Sequence, residues 1–185
     1  MNPILIPVGI LVFILIWVAA NYNALVRIRQ QVSESWSGID TELKRRYDLI
    51  PNLVETVKGY AAHERQVLQD VTEARARAHA SSGSPEAQAE DEKALVASVD
   101  RLLAVAEKYP ELKASEHYLG LQKELANTED RIQAARRFFN ANVRDLNTRV
   151  EVFPSNLIAQ AFGFEKAGFF EVESSKVRQV VDVSF

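Results

Sequence analysis

Residues 43–64 read LKRRYDLIPNLVETVKGYAAHE, and the spacing of their apolar side chains sets the fold class. Leu43, Tyr47, Ile50, Val54, Val57 and Ala61 recur by threes and fours, the signature of one buried face on an α-helix. Three cations, Lys44, Arg45 and Arg46, precede Pro51 inside this pattern. Proline lacks an amide hydrogen and disfavours helical geometry in the residue before it. The sequence therefore predicts a hinge at Tyr47, Asp48 and Pro51, either a kink or a fresh helix start with Asp48 as its cap. A kinked helix with no chemistry of its own fits the same residues.

The stripe extends both ways. Upstream it takes in Leu25, Ile28, Val32, Trp36 and Ile39, and downstream Leu68, Val71, Ala74 and Ala78. If unbroken, this is roughly 85 Å of helix, which needs partners to cover its apolar side. Glu42 with Arg46, and Glu73 with Arg77, have the i,i+4 order that supports an exposed face. The run SSGSP at 81–85 ends the helix and opens the next, with Ser84 as cap and Pro85 in the first helical position. A second helix is expected over 85–109. It carries Glu86, Glu90 and Asp91 near its start and buries Leu95, Val99, Leu102, Ala106 and Tyr109. Pro110 stops it. A third, over 115–153, buries Tyr118, Leu121, Leu125, Ile132, Ala135, Phe139, Leu146 and Val150, and stops at Pro154. Lengths of about 45, 37 and 58 Å suit an antiparallel three-helix bundle with short loops. A two-helix hairpin, collinear across Pro110, is the alternative.

The leader bears on location. Residues 4–20, ILIPVGILVFILIWVAA, form an apolar run that as a helix covers about 25 Å of a hydrocarbon layer near 30 Å thick. Trp17 and Tyr22 lie where interfacial aromatics belong, and Arg27 and Arg29 can extend the span by snorkelling. No charged side chain precedes the run and Ala19-Ala20-Asn21 is a poor cleavage site, so a retained anchor is favoured over a removed signal. Cations follow the run and none precede it, which puts the bulk of the chain in the cytoplasm; the alternative is an extracytoplasmic domain. Lys44, Arg45 and Arg46, with Arg27 and Arg29, are candidates for contact with anionic lipid.

Composition narrows the chemistry. The chain has 185 residues, 47% hydrophobic and 25% charged, with a formal net charge of -3 and no cysteine. That balance gives no pull toward nucleic acid, and disulfides and thiolate chemistry are excluded. His63-Glu64 begins like a zinc-protease helix, but Val67 stands where the second histidine belongs. His79 and His117 have no carboxylate at ligand spacing, and no phosphate loop or Gly-x-Ser-x-Gly turn occurs. Glu129, Asp130, Arg131, Arg136 and Arg137 read as solvated faces with local ion pairs. No cofactor, metal, small-molecule substrate or enzymatic activity is expected.

The tail changes character. Residues 155–164 read as a short amphipathic helix, and Phe162, Phe164, Phe169 and Phe170 follow among Gly163 and Gly168. At the end Val177, Val181, Val183 and Phe185 alternate with polar residues at a strand period of two. A strand with no neighbour leaves its peptide groups unpaired, so this β-like tail is either disordered or adds to the same strand of another copy. In the second case Phe169, Phe170, Val181, Val183 and Phe185 are the oligomer contacts.

Beyond the leader come the runs YNALVRIRQQVSESWSGIDTELKRRYDLIPNLVETVKGYAAHE, PELKA, LQKELANTEDRIQAARRFFNANVRDLNTRVEVFPSNLIA, FGF and FFE, and through them the chain resembles the LemA family. RRYDLIPNLVETVKGYAAHE is the most specific part of that likeness. The resemblance implies a bacterial single-pass membrane protein with a helical domain, no established enzymatic activity, and an association with a membrane metalloprotease in some members. The expected organisation is an all-α chain: an anchor at 1–22, a helical bundle at 23–154 and an aromatic-rich tail at 155–185. The expected function is a membrane-anchored scaffold that self-associates, with the lipid bilayer and further copies as partners. An adaptor for other membrane proteins is the alternative.

Overall fold

A computed structural model describes residues 5–81 and 83–172. Among the described residues the fold is all-α, with no strand. The helices are α1 (Leu5–Lys58), α2 (Arg65–Ala80), α3 (Pro85–Ala106), α4 (Pro110–Lys113), α5 (Glu116–Glu151) and α6 (Ser155–Ala161). Two compact units form. Unit 1 draws on Met1–Ile39 and Ala135–Gly168, and unit 2 on Asp40–Ala134 and Phe169–Phe185.

Two sequence expectations are corrected in α1. The helix runs unbroken through Pro51 to Lys58, so no new helix starts at Asp48, which is an exposed residue inside α1. The break comes later, at 59–64, between α1 and α2. There the amides of Tyr60 and Ala61 both donate to the Val57 carbonyl, a tightening that ends the helix. Ala61 is fully buried in this turn. The chain then reverses, because α2 residues 75, 78 and 79 all meet Tyr47 of α1. The 45 Å helix expected from Pro51 onward is therefore two helices folded on one another.

Unit 2 is built on stripes of threes and fours. The α1 residues Leu43, Tyr47, Ile50, Leu53 and Val57 are buried, with Leu53 in the place expected for Val54. In α2 the buried set is Leu68, Val71, Ala74 and Ala78. This helix packs against α3, which buries Ala89, Leu95, Val99, Leu102, Val105 and Ala106. Each large side chain so buried contributes about 1.5–3 kcal/mol. The α3 start matches the sequence: Ser84 accepts from the Ala87 amide and Pro85 takes the first position. Between α3 and α5 the chain makes the single turn α4, with Leu112 buried, and Ser115 caps α5 through the Tyr118 amide. Phe170 is completely buried in this unit.

Unit 1 pairs the first part of α1 with the second part of α5 in antiparallel order. The Trp36 and Phe139 rings stand 5.2 Å apart, the Asn142 amide donates to the Gln31 carbonyl at 3.4 Å, and Val150 packs by Leu25. After α5 ends, α6 takes over the same side of α1. Its Ile158 and Ala159 join Leu25 and Phe164 in a buried cluster against Trp17, Val18 and Val26. Gly163, with φ of 68°, supplies the left-handed residue that closes α6. The Phe164 amide donates to the Ala159 carbonyl at 2.9 Å and that of Gly163 to Gln160 at 3.4 Å, which is a Schellman closure with Phe164 folded onto Ile158.

Candidate functional site

Two places in the described residues concentrate chemistry or exposed apolar surface. In unit 2, Arg46 of α1 is 3% exposed and Glu92 of α3 is 0% exposed, and the two form a buried ion pair. The Tyr47 hydroxyl donates to the other Glu92 oxygen. Arg46 also donates from its second terminal nitrogen to Glu129 of α5 at 2.8 Å. Three helices thus meet at one guanidinium flanked by two carboxylates and a phenol. Burial pushes the Tyr47 hydroxyl above its ordinary range, with Arg46 pulling the other way, so it stays protonated and donates. The Arg46 Nε is buried without a partner.

Pro51 is tied to the same place. Without an amide hydrogen it cannot bond the Tyr47 carbonyl four residues back. That carbonyl instead accepts from Arg75 Nε of α2 at 2.6 Å. The Tyr47 ring also meets the edge of His79 at 5.4 Å. Tyr47 and Pro51, read from sequence as a joint, thereby carry the contact that holds α2 to α1.

Several surface assignments change. Arg46 is inside the unit, so it is not a lipid-facing cation and does not bridge to Glu42. Glu42 lies 3.9 Å from both Arg45 and Arg131. Lys44 pairs with Asp40 at 2.7 Å. Glu129 reaches the buried pair through Arg46 while its own side chain stays 34% exposed. Glu73 receives the Gln69 amide at 2.7 Å. The missed set was written in the spacing. Arg46, Glu92 and Glu129 each fall three or four residues from core positions on their own helices, namely Leu43 and Ile50, Ala89 and Leu95, and Leu125 and Ile132. A polar residue at such a position is buried only with partners.

Unit 1 holds the second place. From Leu5 to Ile16 the large side chains of α1 are exposed, and α1 is a helix long and apolar enough to cross a membrane. Cover begins at Trp17 and Val18, where α6 packs. Tyr22 meets Phe162 at 4.9 Å with the rings tilted and Phe164 at 5.8 Å edge-on, and Arg29 lies 5.0 Å over the Phe164 ring. Arg27 is exposed. Thus Trp17, Tyr22 and Arg29, expected near a membrane boundary, share one aromatic collar with α6. Asn147 fixes the segment that follows, since its side-chain amide donates to the Ala167 carbonyl and accepts from the Ala167 amide, each at 2.9 Å. Phe169 is half-buried, and the burial of Phe170 takes it off the exposed surface expected of an oligomer contact. Val181, Val183 and Phe185 lie outside the described residues. Among the described residues no group of His, Asp or Glu gathers as a metal set, and His63 is exposed in the turn between α1 and α2.

Magnetosome protein MamQ of Magnetospirillum gryphiswaldense is 25% identical over 175 residues, covering 81% of this chain and 64% of that protein. Magnetosome protein MamQ 2 of Paramagnetospirillum magneticum is 26% identical over 176 residues, covering 82% of this chain and 65% of its own length. Protein LemA of Metamycoplasma hominis is 25% identical over 181 residues, covering 97% of this chain and 80% of that protein. The chain thus spans less than two thirds of the length of the magnetosome relatives. The LemA family matches over residues 35–185, which takes in the buried cluster, the Pro51 contact and α6 but begins after Trp17, Tyr22 and Arg29 of the collar, and the chain belongs to that family.

Proposed function

We propose that the chain is a single-pass, membrane-anchored helical scaffold of a bacterial membrane, which self-associates and organises membrane assemblies without catalysis. One observation carries the reading: the exposed apolar residues Leu5–Ile16 and the folded part of α1 belong to one uninterrupted helix. Leaving that many large side chains in water is costly at about 25 cal/mol per Å² of apolar surface, and a bilayer removes the cost. The cations Arg27 and Arg29 after the span orient the bulk of the chain to the cytoplasm. Beyond the span each unit buries the stripes of its own helices and leaves outer faces for partners. Arg46, Glu92 and Tyr47 are taken up by one another inside unit 2, so they serve that unit's packing and do not meet a substrate.

Exposed Phe138 of unit 1 and, separately, exposed Leu119 of unit 2 are apolar points available to further copies. The name of the magnetosome relatives places those proteins in a membrane-bounded organelle, and assembly at a membrane is the property carried over here. The test is the mass of the full-length protein in detergent by light scattering. A mass above that of a dimer is expected. A monomer overturns self-association and leaves an adaptor for other membrane proteins, such as a membrane metalloprotease.

A further inference from the structure

Outside the leader, most of the large exposed apolar side chains of unit 1 crowd around one short element, with Phe138 standing apart on α5. Val152 is 50%, Phe153 74%, Leu157 54% and Phe162 53% exposed. All four lie within residues 152–164, VFPSNLIAQAFGF, a run without Asp, Glu, Lys or Arg in a chain that is 25% charged. Charges resume on both sides, at Arg149 and Glu151 before it and at Glu165 and Lys166 after it. The inner side of α6 is already used, with Ile158 and Ala159 buried against Trp17, Val18 and Leu25. The exposed side chains are therefore a second apolar face, left open where the water-soluble pattern of the sequence is suspended.

Its height along α1 identifies the occupant. Ile158 and Ala159 pack at Trp17 and Val18, which are still inside the apolar run at 4–20, and Phe162 meets Tyr22 just past its end. An element fixed at that level lies beside the last turns of the span. Interfacial segments with an apolar face sit about 5–10 Å into the boundary between headgroups and acyl chains. Aromatic rings favour that boundary, and Arg29 over Phe164 keeps a cation at its polar edge. We propose that residues 152–164 form a membrane-embedded shelf, with Phe153, Leu157 and Phe162 immersed in lipid next to α1. The proposal rests on α1 spanning the bilayer.

The chain has no cysteine, so single-cysteine variants of the full-length protein can carry an environment-sensitive fluorophore without background. The variants are Phe153→Cys and Leu157→Cys on the shelf, Ile14→Cys in the span and Ala141→Cys on the exposed side of α5, in vesicles of phosphatidylcholine and phosphatidylglycerol. The expected result is blue-shifted emission at 153 and 157, quenched by nitroxide at the lipid headgroup and several-fold less by aqueous iodide than at 141. If both shelf labels match 141 while the label at 14 is quenched by deep nitroxide, the anchor stands and the shelf is overturned. If they are shielded from iodide yet untouched by lipid nitroxide, protein covers the patch and the shelf is again overturned. If the label at 14 is itself open to iodide, the spanning reading fails and the shelf falls with it.

Discussion

Arg46 shows what one side chain does to this fold. It stands on the buried stripe of α1 as a full charge, compensated by Glu92 and Glu129 on two other helices. Removing one partner from a buried pair leaves the other charge uncompensated, at about 3–5 kcal/mol, whereas replacing both by apolar residues of similar volume is close to neutral. Arg46→Ala should therefore cost about 3–5 kcal/mol in urea unfolding followed by circular dichroism, and the pair Arg46→Met with Glu92→Leu should cost clearly less. If the single and double variants lose the same stability, the cluster is not a coupled unit. Tyr47 adds a pH dependence. Burial raises its hydroxyl, so the folded state holds that proton more tightly than the unfolded chain does. The contribution is complete below the ordinary tyrosine range near pH 10 and is lost as pH rises through the raised folded value. Tyr118, also raised by burial and by Glu107, acts in the same direction. Tyr47→Phe should lower the melting temperature at pH 8, because Glu92 loses a donor, and should also flatten its decline above about pH 10. An unchanged alkaline slope would exclude Tyr47 as its source.

At the level of elements, the contact between α1 and α2 turns on a missing amide. Pro51 frees the Tyr47 carbonyl and Arg75 fills it, so each residue makes the other useful. A buried acceptor left unpaired costs about 1–3 kcal/mol. Arg75→Ala should destabilise by about that amount in the native background and by less beside Pro51→Ala, where the restored amide can bond the carbonyl. Equal costs in both backgrounds would disprove the link. The helix boundaries set by side-chain chemistry were legible at two places: Ser84-Pro85 opens α3, and α5 ends short of Pro154. The reversal at 59–64 was not, because Glu64 at the start of α2 makes no side-chain cap and the apolar period runs through the turn without a change of phase. Pro51 looked like the stronger break. In its place a tertiary hydrogen bond satisfies what proline leaves open.

For the molecule as a whole, α1 is a helix long and apolar enough to cross a membrane, and the collar around Tyr22 lies just past its apolar run. Self-association carries its own test. The closing residues alternate with a strand period, and pairing between copies would bury their peptide groups. Truncation after Glu173 should lower the detergent-extracted mass, measured by light scattering, while leaving the helical circular dichroism of α1 to α6 in place. An unchanged mass would remove the tail from assembly.

Helix content, the leader, the Ser84-Pro85 start of α3 and family membership follow from the order of residues, because period, caps and breakers act over a few positions along the chain. Which charges are inside was decided by tertiary structure alone. Arg46 and Glu92 are 46 positions apart and Arg46 and Glu129 are 83 apart, so their pairing exists only once three helices have brought their stripes together. The same holds for Arg75 on the Tyr47 carbonyl and for α6 against Trp17: local pattern shows that a face must be covered, and only packing chooses the cover.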